Sequence, residues 1–225
     1  MSTSMEIGED TGASDRLLDA ALDVIAGQGW RGATMGEIAL RGGVSLADLY
    51  ALFPSRLHLL AALLARTDRH VLIEPATDTA ENTRDRLFDV MMRRFDALQA
   101  HRPAYVRLMR ELPFDPPAML ALVARMRRAM RWMAEAAGLS TAGPAGFLRT
   151  RGLALIYLNS LRIWAFDESP DMARTMAALD RDLRRADALV HRLPGFSATA
   201  RQPAPAPRPV DPDDGEPISL DGIPD

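Results

Sequence analysis

Two capped helical patterns follow one another within residues 34–56, TMGEIALRGGVSLADLYALFPSR. Thr34 is followed three residues later by Glu37, and Ser45 stands in the same relation to Asp48. A hydroxyl at the N-cap and a carboxylate at the third helical position satisfy each other's free backbone N–H groups. A pair of glycines separates the two patterns. This order predicts a helix-turn-helix unit, whose second helix usually enters the major groove of DNA.

The remaining chain also shows helical periodicity, with apolar side chains recurring every three or four residues and Pro or Gly at the breaks. The predicted helices outside the helix-turn-helix run from Ser14 to Gly27, from Ser55 to the residue before Pro75, over 81–101, 103–112, 117–138 and 144–166, and onward from Pro170. We therefore expect an all-α fold of about nine helices, with a small helix-turn-helix head and a larger bundle. The mostly apolar helix over 144–166 suits burial on more than one side.

Composition shifts divide the chain into four segments. We expect a disordered leader over 1–13, a helix-turn-helix domain over 14–74, a helical ligand-binding and dimerisation domain over 75–193, and a disordered tail over 194–225. The tail holds eight of the 16 prolines and six acidic residues. A segment of that composition buries too little apolar area to offset its ordering entropy.

Several functional classes are disfavoured by composition. The absence of cysteine excludes disulfides, thiolate nucleophiles and cysteine-based zinc sites. The four histidines are scattered, and no HExxH, phosphate-binding loop or nucleophile elbow is present, so we expect neither an enzyme nor a metal or cofactor. No apolar run reaches about 18 residues, so we expect no stable membrane insertion. The N-terminus has no basic and apolar signal pattern, which favours a cytoplasmic location.

Residues 14–63 resemble the N-terminal domain of the TetR family of bacterial repressors. The matching residues are Ala20-Ala21, Gly29, Thr34, Ile38-Ala39, Gly43-Val44-Ser45, Leu49-Tyr50, Phe53-Pro54-Ser55 and Leu59-Leu60. The resemblance implies a TetR-like head and bundle. It also implies a homodimer, in which the last two long helices pair with those of a second subunit.

The candidate DNA contacts combine the helix-turn-helix pattern with this resemblance. Thr34 and Tyr50 match family positions that contact phosphate, and Arg56 replaces the family's usual Lys. Leu46 and Asp48 depart from the family's usual residues on the second helix. With double-stranded DNA as the partner, the predicted DNA-binding residues are Thr34, Arg41, Ser45, Leu46, Ala47, Tyr50 and Arg56.

The second domain is rich in methionine and aromatic residues. Flexible Met side chains and flat rings suit an adaptable apolar pocket, although a Met stripe at helical spacing is also typical of core packing. For an apolar small molecule or a lipid, the predicted pocket residues are Met91, Met109, Met126, Met130, Met133, Tyr157 and Trp164.

A second resemblance covers residues 130–184, which are similar to the C-terminal region of the lipid-binding accessory proteins of coenzyme Q biosynthesis. The matching residues are Trp132, Ala137-Gly138, Arg151, Leu155-Ile156-Tyr157, Asp167, Ser169-Pro170-Asp171, Thr175 and Leu179. Two hypotheses follow. The first is a DNA-binding transcriptional regulator, a repressor, controlled by an apolar small molecule. The alternative is a TetR-fold lipid carrier or accessory protein, related to coenzyme Q biosynthesis, that does not bind DNA.

Overall fold

A computed structural model describes residues 3–73 and 82–192. This part of the chain contains nine α-helices and one turn of 3₁₀ helix. The α-helices are α1 (Thr3–Gly32), α2 (Met35–Gly42), α3 (Leu46–Leu52), α4 (Arg56–Ile73), α5 (Thr83–Gln99), α6 (Arg102–Glu111), α7 (Pro116–Ala136), α8 (Gly143–Trp164) and α9 (Ala173–Arg192). The 3₁₀ turn Leu112–Phe114 joins α6 to α7. The all-α architecture expected from the sequence is confirmed.

Most helix boundaries lie where Pro, Gly or a capping residue predicted a break. Asn82 caps α5 and Asp115 caps α7, and proline occupies the first turns of α6, α7 and α8. The main difference is at the N-terminus, where α1 begins at Thr3 and not at Ser14.

The helices pack into one continuous core. In the head, α1 contacts α2, and α2 contacts α3. The head meets the bundle through α1 against α6 and through α4 against α5 and α7, while α8 packs on both α7 and α9. Leu59, Leu60 and Leu63 of α4 are fully buried. Helix α4 therefore belongs to both halves of the molecule.

Helix α8 is buried on one face and carries both apolar and polar side chains, among them Arg151, on the face that remains exposed. Tyr157 and Trp164 are buried, whereas Leu148 and Leu155 are exposed. We predicted that this helix is buried on more than one side. Within the subunit only one side is buried, and burial of the other side against a second subunit stays a prediction.

Helix α9 begins at Ala173, three residues after the predicted start at Pro170, and a polar network precedes it. The Asp167 carboxylate accepts hydrogen bonds from the backbone N–H and the hydroxyl of Thr175, both at 2.8 Å, and from Ser169. Burial on its own raises the pKa of Asp167, but the bonds from Ser169 and Thr175 outweigh it and lower this pKa to about 2. The carboxylate is therefore ionised and fixes the turn between α8 and α9.

Residues 74–81, which span the predicted boundary between the two domains, and the predicted tail over 194–225 lie outside the described residues. Across the residues that are described, no single helix has both the length and the apolar character to cross a membrane. The bent pair Leu46–Leu52 and Arg56–Ile73 meets those criteria only when its two helices are taken together.

Candidate nucleic-acid interface and apolar cavity

Both predicted capping boxes are present in the helix-turn-helix. The Thr34 hydroxyl accepts from the Glu37 backbone N–H at 3.2 Å, and the Glu37 carboxylate accepts from the Thr34 backbone N–H at 3.2 Å. The corresponding distances between Ser45 and Asp48 are 3.1 Å and 3.3 Å. The acidic side chain that departs from the family pattern on α3 therefore turns back onto the start of its own helix.

The turn between α2 and α3 depends on Gly43. Its backbone is left-handed, with φ 67° and ψ 30°, a conformation that residues with a Cβ adopt at a cost. In this conformation its N–H donates to the Leu40 carbonyl at 3.3 Å, and the Val44 N–H donates to the Ala39 carbonyl at 3.1 Å. These bonds close the end of α2 and set the direction of α3.

Helix α3 divides cleanly into a buried and an exposed face. Leu49 is fully buried and Phe53, at the helix end, is nearly so. Leu46 is 56% exposed and Tyr50 is 65% exposed, and Ser45 and Ala47 are exposed as well. The structure thus brings the predicted groove-facing residues of α3 together on one solvent-facing surface.

The arginines predicted to meet phosphate are engaged within the protein. Arg41 pairs with Asp23 at 3.3 Å, on the surface. The Arg56 guanidinium lies 4.4 Å from the centre of the Trp30 ring and donates to the Trp30 carbonyl. Arg31 is exposed and has no ion-pair partner among the described residues. The sequence already indicated that Arg31 could reach the DNA backbone, although the predicted set did not include it.

The end of α1 is tied to the connection between α6 and α7. The Trp30 indole N–H donates to Asp115 at 3.0 Å, and the Arg31 backbone N–H donates to Glu111 at 2.9 Å. The bond from Trp30 is the main cause that lowers the pKa of Asp115 below its ordinary value, followed by the bond from the Ala118 backbone. The head and the bundle therefore meet through specific hydrogen bonds as well as through apolar packing.

A cavity of about 310 Å³ lies in the bundle and is open to solvent beside Val123 and Leu158, which are both exposed. Its walls come from α4 through α8 and from the 3₁₀ turn, and they are almost entirely apolar. Three predicted pocket residues line it, namely Met109, Met126 and Tyr157. The other four predicted residues are buried in the core and do not line this cavity; they are Met91, Met130, Met133 and Trp164. Lining residues that were not predicted for the pocket include Leu60, Leu64, Leu98, Tyr105, Leu122 and Leu161.

One charged side chain, Arg94, is buried at the cavity wall. It is 3% exposed, forms an ion pair with Asp68 and donates from Nε to the Tyr157 hydroxyl at 3.1 Å. Burial alone would lower the pKa of Arg94, but the neighbouring Tyr157 and Asp68 outweigh it and raise this pKa above its ordinary value. Arg94 was overlooked from sequence, although it interrupts an apolar stripe between Val90 and Leu98.

Within the described ranges, no group of three or more His, Cys, Asp or Glu side chains is placed to hold a metal ion. A comparison with curated proteins gave no match, so the resemblance of residues 130–184 to the coenzyme Q accessory proteins stays a prediction.

Comparisons with family models and solved structures agree on one family. Residues 17–63 match the model for bacterial regulatory proteins of the tetR family. The chain is similar to a TetR transcriptional regulator from Nitrosomonas europaea ATCC 19718, with 26% identity over 78% of this chain and 98% of that chain, and a TM-score of 0.64.

Two further structures share the fold at lower identity. A tetR-family regulator from Streptomyces coelicolor has 22% identity over 80% of this chain and 83% of that chain, with a TM-score of 0.56. A TetR regulator from Rhodococcus sp. RHA1 has 22% identity over 78% of this chain and 97% of that chain, with a TM-score of 0.52. Residues 17–63 are a TetR-type helix-turn-helix domain, and the described chain has the fold of TetR-type transcriptional regulators.

Proposed function

We propose that this protein is a homodimeric DNA-binding repressor whose affinity for DNA is controlled by an apolar small molecule. The observation that carries the proposal is the position of α4. This helix begins directly after the helix-turn-helix, and its Leu60 and Leu64 line the cavity in the bundle. An occupant of the cavity therefore touches the helix that directly follows α3 in the chain. Ligand control requires that the occupant favours one placement of the two heads over another.

The exposed face of α3 is the surface offered to the major groove. The Tyr50 hydroxyl is available to a phosphate, and Leu46 suits contact with a thymine methyl group. Arg31 supplies a further cation at the end of α1. Residues 14–70 contain six Arg and six acidic residues, so the head as a whole carries no excess of positive charge. We expect DNA affinity to come from a few local contacts together with the two-fold repetition of a dimer.

The dimer surface is proposed on α8 and α9. Leu155 is 70% exposed on α8, and Leu189 is exposed on α9. A second cavity of about 300 Å³ lies between α5, α8 and α9, and the exposed Leu148 and Leu189 line it. Exposed apolar patches of this kind mark interaction surfaces. A second subunit covering α8 would bury the apolar side chains that its own subunit leaves exposed.

The direct test is selection of genomic fragments by the purified full-length protein, followed by binding measurements over a salt series. We expect selective, roughly palindromic fragments whose affinity falls steeply as salt rises, because each phosphate contact releases counterions. The variant Leu46→Glu, which adds a negative charge to the groove face, should abolish selective binding. The matched control is Leu120→Glu, which makes the same change on an exposed residue of α7 and should bind normally.

Failure to select any fragment at low salt would contradict the proposal. In that case, lipid recovered from the purified protein by extraction and mass spectrometry would favour the lipid-carrier alternative.

A further inference from the structure

The polar end of the apolar cavity presents hydrogen-bond donors. Arg94 lines the cavity, and its Nε and Nη1 groups are engaged by Tyr157 and Asp68. A guanidinium has five N–H donors, and no acceptor in the described part of the chain is bonded to Nη2. The Nη2 donors are therefore left for an occupant of the cavity. Asp68, whose carboxylate neutralises Arg94, is not among the lining residues.

Tyr157 supplies a second donor. Its hydroxyl oxygen accepts from Arg94, and its own proton has no acceptor among the residues described. Burial raises the pKa of the Tyr157 phenol, although Arg94 opposes the shift, so the group is neutral and keeps its proton.

The other tyrosine on the wall, Tyr105, has a different environment. The Thr67 hydroxyl donates to the Leu63 carbonyl at 3.2 Å, so the Tyr105 hydroxyl, 3.3 Å from Thr67, is the donor in their shared bond. The proton of Tyr105 is thus already used within the protein, unlike that of Tyr157.

We propose that this cavity selects apolar molecules that carry an uncharged carbonyl oxygen, which accepts hydrogen bonds from the Tyr157 hydroxyl and Arg94 Nη2. The inference rests on the proposed function in one respect, namely that the cavity holds the molecule controlling DNA binding. A carbonyl oxygen has two lone pairs and can therefore accept from both groups at once. A carboxylate would add a buried negative charge beside a pair that Asp68 already neutralises. The other cation of the wall, Arg127, is exposed to solvent, which screens its charge. An ammonium group would meet only donors and cations.

The test uses four probes and the full-length protein. N-phenyl-1-naphthylamine, a neutral fluorescent dye without a carbonyl, reports occupation of the cavity. It is displaced by 2-decanone, decanoate or decylammonium, which share a ten-carbon chain and differ in the polar group. We expect 2-decanone to displace the dye at a concentration at least about five-fold lower than either ion, which corresponds to roughly one hydrogen bond.

Two variants test which tyrosine hydroxyl donates to the carbonyl oxygen. Tyr157→Phe keeps the ring that stacks on Phe95 at 5.3 Å but removes the free proton, so the affinity for 2-decanone should fall about five-fold while the dye binds as before. Tyr105→Phe removes a hydroxyl already bonded to Thr67 and should lose less affinity. A thermal melt of each variant confirms that it is folded.

The outcomes separate this inference from the proposed function. Equal displacement by all three compounds, or tighter binding of decanoate, would overturn the carbonyl preference. If the two tyrosine variants lost affinity equally, the assigned donor would be wrong. If the dye bound no variant, cavity occupation and hence ligand control would fail together. Selective DNA binding is measured separately and is untouched by the first two results.

Discussion

Trp30 in the head and Asp115 in the bundle, 85 residues apart in the sequence, are joined by a hydrogen bond of 3.0 Å. The other carboxylate oxygen of Asp115 accepts from the Ala118 backbone N–H at 3.1 Å and so caps α7. One side chain therefore begins a bundle helix and holds the end of α1.

The first prediction concerns this shared role. Asp115→Ala removes a helix cap and leaves the Trp30 indole N–H without its acceptor, so we expect a loss of about 2 kcal/mol in the free energy of unfolding. Urea denaturation measures it. A double-mutant cycle with Trp30→Phe should give a coupling energy above about 0.5 kcal/mol, and strictly additive losses would show that the two side chains do not interact.

A second prediction concerns the backbone at Gly29. Its φ of 81° and ψ of 169° lie in a region that is essentially restricted to glycine, and a Cβ there would stand 2.2 Å from a carboxylate oxygen of Glu111. Gly29→Ala should lower the free energy of unfolding by about 2 kcal/mol or more. Gly27→Ala is the matched control, because a Cβ at Gly27 meets no atom within 4 Å. The control should be neutral or stabilising by up to about 1 kcal/mol.

The third prediction is a dependence of stability on pH. The pKa of Asp167 is about 2 in the folded protein, against an ordinary value of 3.8. Between these values the unfolded state binds more protons than the folded state, so stability rises with pH over that interval. The contribution of about 2 kcal/mol is fully present above the ordinary value and is lost as pH falls through the folded value.

Urea denaturation from pH 2 to pH 6 measures this contribution. In Asp167→Asn the corresponding rise should disappear, whereas Glu168→Gln, an exposed neighbour, should follow the unmodified protein. An unchanged pH profile for Asp167→Asn would assign the stability to other carboxylates.

The fourth prediction tests the dimer surface. Leu155→Glu places a charge on the exposed face of α8 and should convert the protein to a monomer, because a buried unpaired charge opposes association. Leu120→Glu makes the same change at a residue that is 72% exposed on α7 and should remain dimeric. Light scattering distinguishes the two states. A dimeric Leu155→Glu protein would place the interface elsewhere.

The features that the sequence predicted well are those determined by near neighbours. The capping boxes at Thr34 and Ser45 and the turn at Gly43 each depend on residues within five positions, so their spacing was sufficient. The exposed face of α3 followed from helical periodicity alone.

The cavity could be predicted only in part, because helical spacing identifies a buried stripe but not an unfilled space beside it. Met126 and Met130 lie on the same face of α7, yet only Met126 lines the cavity. The partner of Arg94, Tyr157, is 63 residues away, so their contact depends on how α5 and α8 pack. Arg56 likewise matched a phosphate-contacting position, and only the tertiary structure shows it against Trp30.

The surroundings of Trp30 give the protein an intrinsic optical probe. Its indole is buried between the guanidinium of Arg56, at the start of α4, and the carboxylate of Asp115, at the start of α7. Of the three tryptophans, Trp164 lies deep in the bundle and Trp132 is exposed on α7. In a protein with Phe in place of Trp132 and Trp164, the fluorescence emission of Trp30 alone would report any change in how the head packs on the bundle, without an attached dye.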